Sequence, residues 1–572
     1  MDRPRWLLPA SWIVAGLALC YGLWFAYDHA WVCDDAFISF RYSKNLVDGL
    51  GLVYNAGEYV EGYTNFLWVM LVAGGMSLSV DPVWFGQVLG VVFLVATFGV
   101  LAQTARSMGT IPLAAIGFAL HEHSLTFSTC GLETSMFTFL VTAGLVQLAG
   151  ANGPGQVLRG GLLLILATMT RPDGALFYVF GGLVVLAVVL RSRDWRSLAG
   201  YALPFVLLYL PYFVWKFDYY GHPFPNTYYA KSGGGSYFEQ GYYYLRLYFS
   251  CYYYLLPALL IPLVMVLWGG KKGRDEIGIA SVRGCWLVLL FTLPYLLYVA
   301  RVGGDFMFSR FCLPVTPALL LGLQYLCRGG KVWVGMAASV FVLVGSFNTN
   351  YPAAALKHGN EGGVVEEAKT YPQWYVDCYR IIGHRLKQLF AETELRVAID
   401  GGQAMLGYFG DFPYVLELNG LTDEFVAHRP LEKRGMVGHE KRLPLEHPYL
   451  RERGIHMVVG AYQDAYLAGD RLKDQRRFEF YLEDVPFFGK LESAYARATL
   501  ITYDVKLLAA VAGVEGIRFP RFPDYLKNYV ATLDKRDRQA LEADLRAFDQ
   551  FYFEPNGLRD SPLRQRIAEA IK

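Results

Sequence analysis

Long runs of apolar residues recur along the first 348 residues, separated by short polar connections. A helix needs about 20 predominantly apolar residues to cross a bilayer, so this pattern predicts a polytopic α-helical membrane domain over 1–348. The short segment 110–122 contains Pro112 and is discounted as a span, which leaves a prediction of about eleven transmembrane helices. The candidate segments are 7–26, 64–80, 83–103, 110–122, 132–150, 159–171, 174–190, 198–217, 250–269, 284–300, 311–327 and 332–348.

The pattern changes after Phe347, where charged residues become frequent and no apolar run is long enough to span. Short β-like runs alternate there with helical segments. The alternation predicts that residues 349–572 form a C-terminal soluble α/β domain, large enough to bury its own core. The predicted strands are 395–400, 414–419, 455–460 and 498–503, and a charged helix is predicted near 534–550.

Basic residues cluster in short connections, which the positive-inside rule places in the cytoplasm. This orientation puts the active site and the C-terminal domain on the extracytoplasmic side of a bacterial cytoplasmic membrane, and it requires an odd number of spans. Residues 2–26 show no small-residue cleavage site, so they are interpreted as a retained first span. The basic clusters are Arg3 with Arg5, 191–196, 271–274 and 328–331.

The composition agrees with a membrane protein. Of 572 residues, 54% are hydrophobic and 18% are charged, whereas soluble domains average about a quarter charged. The net charge is +2 without a basic stripe, so nothing indicates nucleic acid as a partner. The eight cysteines show no metal-finger spacing. Cys33 and Cys130 could pair on an oxidising face, but two small buried residues are the favoured interpretation.

The first outer loop, 27–63, carries two adjacent carboxylates a few residues beyond the first span, Asp34 and Asp35. A membrane protein gains little from two like charges at the edge of a bilayer unless they deprotonate a hydroxyl or hold a cation. Asp34 and Asp35 are therefore the predicted catalytic residues. They are also a candidate site for a divalent cation, Mg²⁺ or Mn²⁺, with oxygen ligands.

Asp34 can also cap a helix over 36–48 that ends at Gly49. Arg41 lies seven residues after Asp34 and shares its helical face, so it is a candidate substrate ligand. The alternative is that Asp34 is only a cap and Arg41 only an anchor for lipid headgroups. Glu58 lies in the turn-rich part of the loop and is a further substrate-binding candidate, although loop acids are usually solvated.

Five charged residues are predicted at the outer ends of later spans. Ionisable residues of membrane domains usually face the bundle interior and serve a site or pathway, and the planar fork of Arg matches phosphate oxygens. All five are therefore candidate substrate-binding residues, although two of them, flanking a Pro-Gly turn, can instead form a salt-bridged corner. The five are Glu133, Arg171, Asp173, Asp305 and Arg310, and Arg171 with Asp173 is the possible corner.

The aromatic outer loop, 218–249, is dense in tyrosine and contains Lys231, a second candidate for binding phosphate. Tyrosine at a bilayer edge is typical of an aromatic belt. The interleaved Pro, Asn and Gly residues also fit a mobile loop, and aromatic faces suit sugar rings. Both interpretations remain open. The His-Glu-His at 121–123 resembles metal-ligand spacing, but consecutive helical residues point in different directions, so no metal is predicted there.

Acids, phosphate-binding cations and aromatic walls on one outer face fit one reaction well. A sugar linked to a lipid phosphate enters from the bilayer, and a carboxylate takes the proton of an acceptor hydroxyl as it attacks the anomeric carbon. The sequence contains no Walker motif or Rossmann fingerprint. Nucleotides are absent outside the cytoplasm, so the lipid must carry the activated sugar.

The run 34–41, with 49–55 and 63–68, resembles the first outer loop of GT-C polytopic glycosyltransferases. It is most similar to the mycobacterial terminal β-(1→2) arabinofuranosyltransferase family, over about residues 1–430. The resemblance implies a polyprenyl-phosphate sugar donor, D-arabinofuranose as the sugar, a cell-envelope glycan or glycoconjugate as acceptor, and catalysis by an acid of the first outer loop. Further pieces of the pattern lie at 131–133, 171–174, 304–310 and 419–423.

Two interpretations from other classes compete with a transferase. A transporter or flippase of lipid-linked sugars would place its acids along a path near the bilayer midplane, between internal repeats. A non-catalytic glycan-binding protein would tolerate loss of both loop carboxylates. In the C-terminal domain, 400–402 and 421–423 could bind an acceptor glycan, and a structural role is equally compatible with the sequence.

Overall fold

The structure is a computed structural model. The described residues are 7–572 except 232–234, 260–278, 330–331, 349–362, 372, 392, 400–403, 446, 463–476, 488–489, 501–516, 519–521 and 555. Several sequence predictions fall outside these residues, namely the basic cluster 271–274, Arg3 with Arg5, part of the span 250–269, and the segment 400–402.

The chain divides into two compact units. Unit 1 comprises Met1–Ser39, Tyr63–Thr370 and Leu431–Glu440, and unit 2 comprises Phe40–Gly62, Tyr371–Pro430 and Lys441–Lys572. Each unit takes residues from both sides of residue 348, and the domain boundary predicted there stays a prediction.

Unit 1 is built from helices. In chain order these are α1 (Leu7–Asp28), α2 (Ala36–Val47, which continues into unit 2), α3 (Phe66–Ser77), α4 (Pro82–Met108), α5 (Leu113–Ala119), α6 (Glu122–Thr126), α7 (Thr134–Ala149), α8 (Pro154–Thr170), α9 (Gly174–Ser192), α10 (Trp195–Pro204), α11 (Leu210–Tyr220), α12 (Asn226–Ala230), α13 (Phe238–Cys251), α14 (Ile279–Val302), α15 (Thr316–Gly329), α16 (Val332–Phe347) and α17 (Glu367–Thr370).

Four helices in the described part of the chain are long and apolar enough to cross a membrane. Each coincides with a predicted span, and four shorter apolar helices coincide with further predicted spans. The count of about eleven stays a prediction. The long helices are Leu8–Asp28, Pro82–Met108, Gly174–Ser192 and Trp195–Tyr220, and the shorter ones are Phe66–Ser77, Thr134–Ala149, Trp286–Val302 and Met336–Phe347.

The fourth long helix joins α10 to α11 through a π turn at Phe205–Tyr209. Pro204 immediately precedes this turn. Since proline has no N–H to donate to the carbonyl four residues earlier, the regular hydrogen-bond ladder is interrupted and the helix widens locally.

The segment 110–122 contains only the seven-residue helix α5, which is buried along its whole length. Gln324 satisfies the backbone around its first turn, because its side chain accepts from the Ala114 N–H (3.0 Å) and donates to the Ile111 carbonyl (2.7 Å). A broken helix needs such partners where water is absent. The structure thus agrees with discounting this segment as a full span.

Unit 2 contains a six-stranded sheet in the order β2-β1-β3-β5-β4-β6, parallel from β2 to β3 and antiparallel beyond. The elements are β1 (Arg396–Ile399), β2 (Tyr414–Glu417), β3 (Met457–Tyr462), β4 (Arg477–Phe487), β5 (Lys490–Leu500) and β6 (Ile517–Arg518), with α18 (Gln373–Leu389), α19 (Ala404–Gly410), α20 (Glu424–His428), α21 (Tyr449–Glu452), α22 (Phe522–Val530), α23 (Arg538–Phe548) and α24 (Pro562–Ile571).

The predicted strands at 395–400, 414–419 and 455–460 correspond to β1, β2 and β3, and the predicted charged helix corresponds to α23. Of the run predicted at 498–503, residues 498–500 form the end of β5 and residues 501–503 lie outside the described residues. The strand β4 was not predicted. The helix predicted over 36–48 is confirmed as α2, and Gly49 follows it with φ +79°. This left-handed conformation favours glycine after a helix.

Glycines in unit 1 allow close helix packing, and this can be tested at Gly90 of α4. A Cβ at Gly90 would collide with the Ser128 carbonyl oxygen, whereas a Cβ at Gly99 of the same helix would meet nothing within 4 Å. We expect Gly90→Ala to destabilise the protein by about 1–3 kcal/mol through overpacking. Gly99→Ala should be neutral or slightly stabilising. Thermal unfolding in detergent compares the two, and equal melting temperatures would contradict the packing.

Candidate active site

The acid pair lies between the end of α1 and the start of α2. The Asp34 side chain is buried and Asp35 is half-buried. The preceding chain is anchored to the polar stretch 121–133, because the Cys33 N–H donates to the Cys130 carbonyl (2.9 Å). Both cysteines are free and buried, in agreement with the favoured interpretation of the sequence.

A buried ion network contains three of the predicted site residues. The Arg171 guanidinium donates to Glu133 (3.1 Å) and to both carboxylate oxygens of Asp173 (3.0 and 3.2 Å). Asp173 also accepts from the Tyr295 hydroxyl (2.8 Å), and Glu133 accepts from the Asn65 amide (2.9 Å). Because Arg171 is paired with both carboxylates, the first role of these three residues is to hold this part of unit 1 together. Their predicted contact with substrate stays a prediction.

A second buried pair joins Arg310 to Asp305, with the guanidinium donating to the carboxylate. The loop that carries the pair packs closely on Tyr244. Gly304 has φ +72°, and a Cβ there would lie 2.5 Å from the Tyr244 ring. The Tyr244 hydroxyl donates to the Met307 carbonyl (3.1 Å). Glycine at this position therefore permits both the backbone conformation and the close approach.

The segment after α16 pairs with this loop and adds two acids that the sequence analysis did not single out. The Val365 N–H donates to the Phe306 carbonyl (2.7 Å), and the Phe308 N–H donates to the Val365 carbonyl (2.9 Å). This pairing positions Glu366–Glu367 within unit 1. The sequence did contain a signal for this part of the site, because Glu366 and Glu367 are a second pair of adjacent acids that follows the last predicted span, 332–348.

Glu366 is held by a histidine. Its two carboxylate oxygens each lie 3.2 Å from His123 Nε2, and His123 Nδ1 is in hydrogen-bond contact with the Tyr252 hydroxyl. A carboxylate on one ring nitrogen and a hydroxyl on the other fix the orientation of the imidazole. His123 comes from the His-Glu-His stretch, so the structure explains that stretch through a carboxylate–imidazole–phenol chain.

Glu367 differs from its neighbour in having no such partner. Its side chain is 7% exposed and forms no hydrogen bond or ion pair with the residues that the structure describes. The pKa of the Glu367 carboxyl is raised to about 8, first by burial and then by the negative charges of Asp35 and Asp34. Glu367 is therefore largely protonated near neutral pH.

Lys231 follows α12 and is the predicted second phosphate ligand. Within the described ranges its ammonium has no hydrogen-bond or ion-pair partner. Its electrostatic neighbours are Asp305, Arg310 and Asp35, and burial lowers the pKa of the ammonium. A partly desolvated cation without a fixed partner is well placed to bind an anionic group.

His439 was missed because it lies in the predicted C-terminal domain, yet the segment 431–440 belongs to unit 1. Its ring packs edge-on against Phe306 with centroids 5.0 Å apart. The buried Nδ1 atom has no hydrogen-bond partner among the described atoms. Burial lowers the pKa of this imidazole, while the nearby negative charge of Asp35 opposes the shift.

The charged groups of the site thus fall into two sets. One set is joined in hydrogen-bonded ion pairs, and the other has no such partner in the part of the chain that is described. Groups of the second set are the ones free to bind or deprotonate a substrate without first breaking a buried pair. The paired set is Glu133, Arg171, Asp173, Asp305, Arg310 and Glu366, and the open set is Asp35, Lys231 and Glu367.

Arg41 is held by backbone carbonyls of unit 2. It lies in unit 2, where its three guanidinium nitrogens donate to the carbonyls of Tyr54 (2.9 Å), Gly407 (2.8 Å) and Phe412 (3.0 Å). All of its nitrogens are therefore engaged in holding the fold of unit 2. The predicted contact of Arg41 with substrate stays a prediction.

Glu58 also lies in unit 2. Its carboxylate forms an ion pair with Arg453 and accepts from the Asn55 amide (3.3 Å). The candidate active site consists of unit 1 residues, and the predicted substrate contact of Glu58 stays a prediction.

No group of three or more His, Cys, Asp or Glu side chains in the described ranges is arranged to hold a metal ion. The divalent cation considered at Asp34 and Asp35 stays a prediction, and no chemical step is assigned to it.

Sequence comparison finds two similar curated proteins, both named terminal β-(1→2)-arabinofuranosyltransferase. The protein from Corynebacterium glutamicum is 26% identical over 380 residues, which cover 59% of this chain and 54% of the relative. The protein from Mycobacterium tuberculosis is 26% identical over 414 residues, which cover 63% of this chain and 65% of the relative. The predicted resemblance is confirmed. The matched regions span less than two thirds of either relative, and no family model matches the chain.

Two solved structures share the fold. ArnT from Cupriavidus metallidurans bound to undecaprenyl phosphate matches with a TM-score of 0.51 at 14% identity, covering 84% of this chain and 97% of that one. The apo form matches with a TM-score of 0.50 at 13% identity, covering 86% and 98%. ArnT is a GT-C glycosyltransferase. The shared fold and the apolar helices together indicate a polytopic helical membrane protein with an ArnT-like fold.

The raised pKa of Glu367 makes stability depend on pH. Its pKa is about 8 in the folded protein and about 4.3 in an unfolded chain. Between these values the unfolded chain releases a proton that the folded protein keeps, so the free energy of unfolding falls as pH rises. The slope is at most about 1.4 kcal/mol per pH unit. We expect Glu367→Gln to flatten this fall between about pH 6 and pH 8.

Thermal unfolding in detergent across this pH range measures the effect. Glu239→Gln, on an exposed residue of α13, is the matched control and should leave the slope as in the wild type. If Glu367→Gln and the wild type show the same pH slope, the Glu367 carboxyl ionises at an ordinary pKa and the assignment fails.

Proposed function

We propose that this protein is a glycosyltransferase that moves a sugar from a polyprenyl-phosphate donor to a cell-envelope glycan or glycoconjugate. The observation that carries the proposal is the open carboxylate of Asp35. It is half-buried, has no hydrogen-bond partner among the described residues, and is electrostatically coupled to Lys231 and Arg310. A carboxylate in this position can take the proton of an acceptor hydroxyl, while the neighbouring positive charge can bind the phosphate of the donor.

The reaction follows from these groups. Asp35 accepts the proton of the acceptor hydroxyl as the hydroxyl oxygen forms its bond to the anomeric carbon. The bond between the anomeric carbon and the phosphate oxygen breaks, and the lipid phosphate leaves with the electron pair. Lys231 stabilises the negative charge that develops on this phosphate. Buried Asp34 helps to position the loop.

The comparisons support the donor and the sugar. The relatives are named as β-(1→2)-arabinofuranosyltransferases, which favours D-arabinofuranose as the transferred sugar. The ArnT structure was solved with undecaprenyl phosphate, which favours a polyprenyl phosphate as the leaving group. The basic connections favour an active site on the extracytoplasmic side of the cytoplasmic membrane, where a lipid must supply the activated sugar.

The acid pair provides the decisive test. We expect Asp35→Asn to lower the rate of transfer by about 10²–10⁴-fold, because the variant keeps the shape and loses the base. Asp34→Asn is expected to be milder, since Asp34 is buried beside the site. The assay follows transfer from polyprenyl-phosphoryl-arabinofuranose to an arabinan acceptor by the purified protein.

Asp28→Asn, at the exposed end of α1, is the control and should keep full activity. Intact donor binding and an unchanged melting temperature must accompany the loss in Asp35→Asn. If the wild type binds lipid-linked sugars but transfers none of them, the transferase proposal fails and transport becomes the working explanation.

Lys231 tests the phosphate contact separately from the base. Lys231→Met keeps much of the side-chain volume and removes the charge, so we expect the KM for donor to rise about tenfold or more, since a charged hydrogen bond contributes roughly 1.5–3 kcal/mol. Lys387→Met, on an exposed lysine of α18, is the control. A donor KM that is equal in the wild type and in Lys231→Met would remove Lys231 from the phosphate site.

A further inference from the structure

Unit 2 contains a cavity of about 760 Å³ that no part of the proposed reaction uses. Its walls are the loop 58–60, residues of the segment 423–430, Tyr449 and Arg453. Pockets of roughly 300–1,000 Å³ with aromatic walls and a few placed polar groups are typical of small-molecule sites. The cavity is therefore large enough to hold part of an oligosaccharide.

One wall of the cavity is aromatic and open to solvent. The Tyr59 side chain is 55% exposed and that of Phe425 is 43% exposed. Phe425 stacks on Tyr449 with ring centroids 4.0 Å apart and an angle of 20° between the planes. The stack holds the Phe425 ring in one orientation. A flat ring held in place beside a cleft presents a surface on which the C–H face of a sugar can pack.

The polar groups of the walls are held in fixed positions. Asp423 accepts from the Tyr449 hydroxyl (2.9 Å) and from the Val426 N–H (2.9 Å). Glu58 and Arg453 form an ion pair, and Arg453 also donates to a neighbouring tyrosine hydroxyl. Carboxylates and a guanidinium can each contact two adjacent hydroxyl groups at once. Fixed planar groups beside an aromatic ring form a set suited to a polyol.

The charges around the cavity nearly balance. Three carboxylates, from Glu58, Asp423 and Glu424, face two guanidinium groups, from Arg429 and Arg453. Arg453 is already paired with Glu58. A site for a phosphate or an acidic polysaccharide would need an excess of positive charge. The balance favours a neutral ligand over an anionic one.

We propose that this cavity binds the acceptor, a neutral oligosaccharide, with one sugar ring packed on Phe425 and Tyr59 and its hydroxyl groups held by the carboxylates and Arg453. The identity of the bound glycan as acceptor rests on the proposed function. Binding of a neutral glycan rests on the cavity itself. Tyr59 lies in the predicted first outer loop, 27–63, which also contains Asp34 and Asp35.

The test uses the full-length protein in detergent with a neutral arabinofuranose hexasaccharide as probe. We expect Phe425→Ala and Tyr59→Ala to weaken binding by about tenfold, the loss that corresponds to one aromatic contact. The KM for acceptor should rise in the same ratio, while kcat and the KM for donor stay unchanged. Phe425→Trp keeps an aromatic ring at this position, so it should bind the hexasaccharide about as tightly as the wild type does. Leu558→Ala, on another exposed apolar residue of unit 2, is the control.

The outcomes separate this inference from the proposed function. Suppose that the wild type binds the hexasaccharide, that both alanine variants bind it more weakly, and that the wild type transfers no sugar. The glycan site then stands and the transferase proposal fails. If transfer proceeds and both alanine variants bind and react as the wild type does, the glycan site is wrong and the transferase stands. Stronger binding of a galacturonic acid hexasaccharide than of the neutral probe would also overturn the inference.

Discussion

The ion network around Arg171 is the interaction on which the rest of unit 1 depends. A guanidinium in a dry interior is costly unless acceptors or anionic partners compensate its charge, and here the carboxylates of Glu133 and Asp173 do so. The network draws in Tyr295 from α14 and Asn65 from the start of α3. Because none of these charges is stable alone in a dry interior, the helices that carry them must assemble together. Asn65 also bonds Ser39 of α2, which connects the network to the acid pair.

Charged residues of the same type fall into two groups in unit 1, those held in ion pairs and those without such a partner in the described part of the chain. Arg171, Arg310 and Glu366 are consumed by partners that the protein itself provides. Asp35, Lys231 and Glu367 are held in the same region without such partners in the described part of the chain. Because the Glu367 carboxyl is largely protonated near neutral pH, it adds little repulsion to the neighbouring Asp34 and Asp35. The site can therefore concentrate acids without excluding an anionic donor.

The comparisons and the site answer different questions. A TM-score of 0.51 at 14% identity shows a shared fold, and folds of this kind serve many substrates. Selectivity for a sugar or an acceptor must come from the local groups of a site, since the fold does not supply it. A long glycan acceptor also needs contacts beyond the reacting hydroxyl, because binding energy away from the reacting centre helps to hold it in place.

The sequence by itself determined the apolar spans, the first three strands, the helix α2 and the possible pairing of Arg171 with its neighbour Asp173, because each depends on local periodicity or on residues a few positions apart. It also singled out the loop with Asp34 and Asp35. Only the tertiary structure decided which charges are already paired. Arg41 reaches carbonyls more than 360 positions away, and Glu366 reaches a histidine 243 positions away. A buried, satisfied charge and an open one look the same in the local sequence, since the difference lies in partners that only folding brings near.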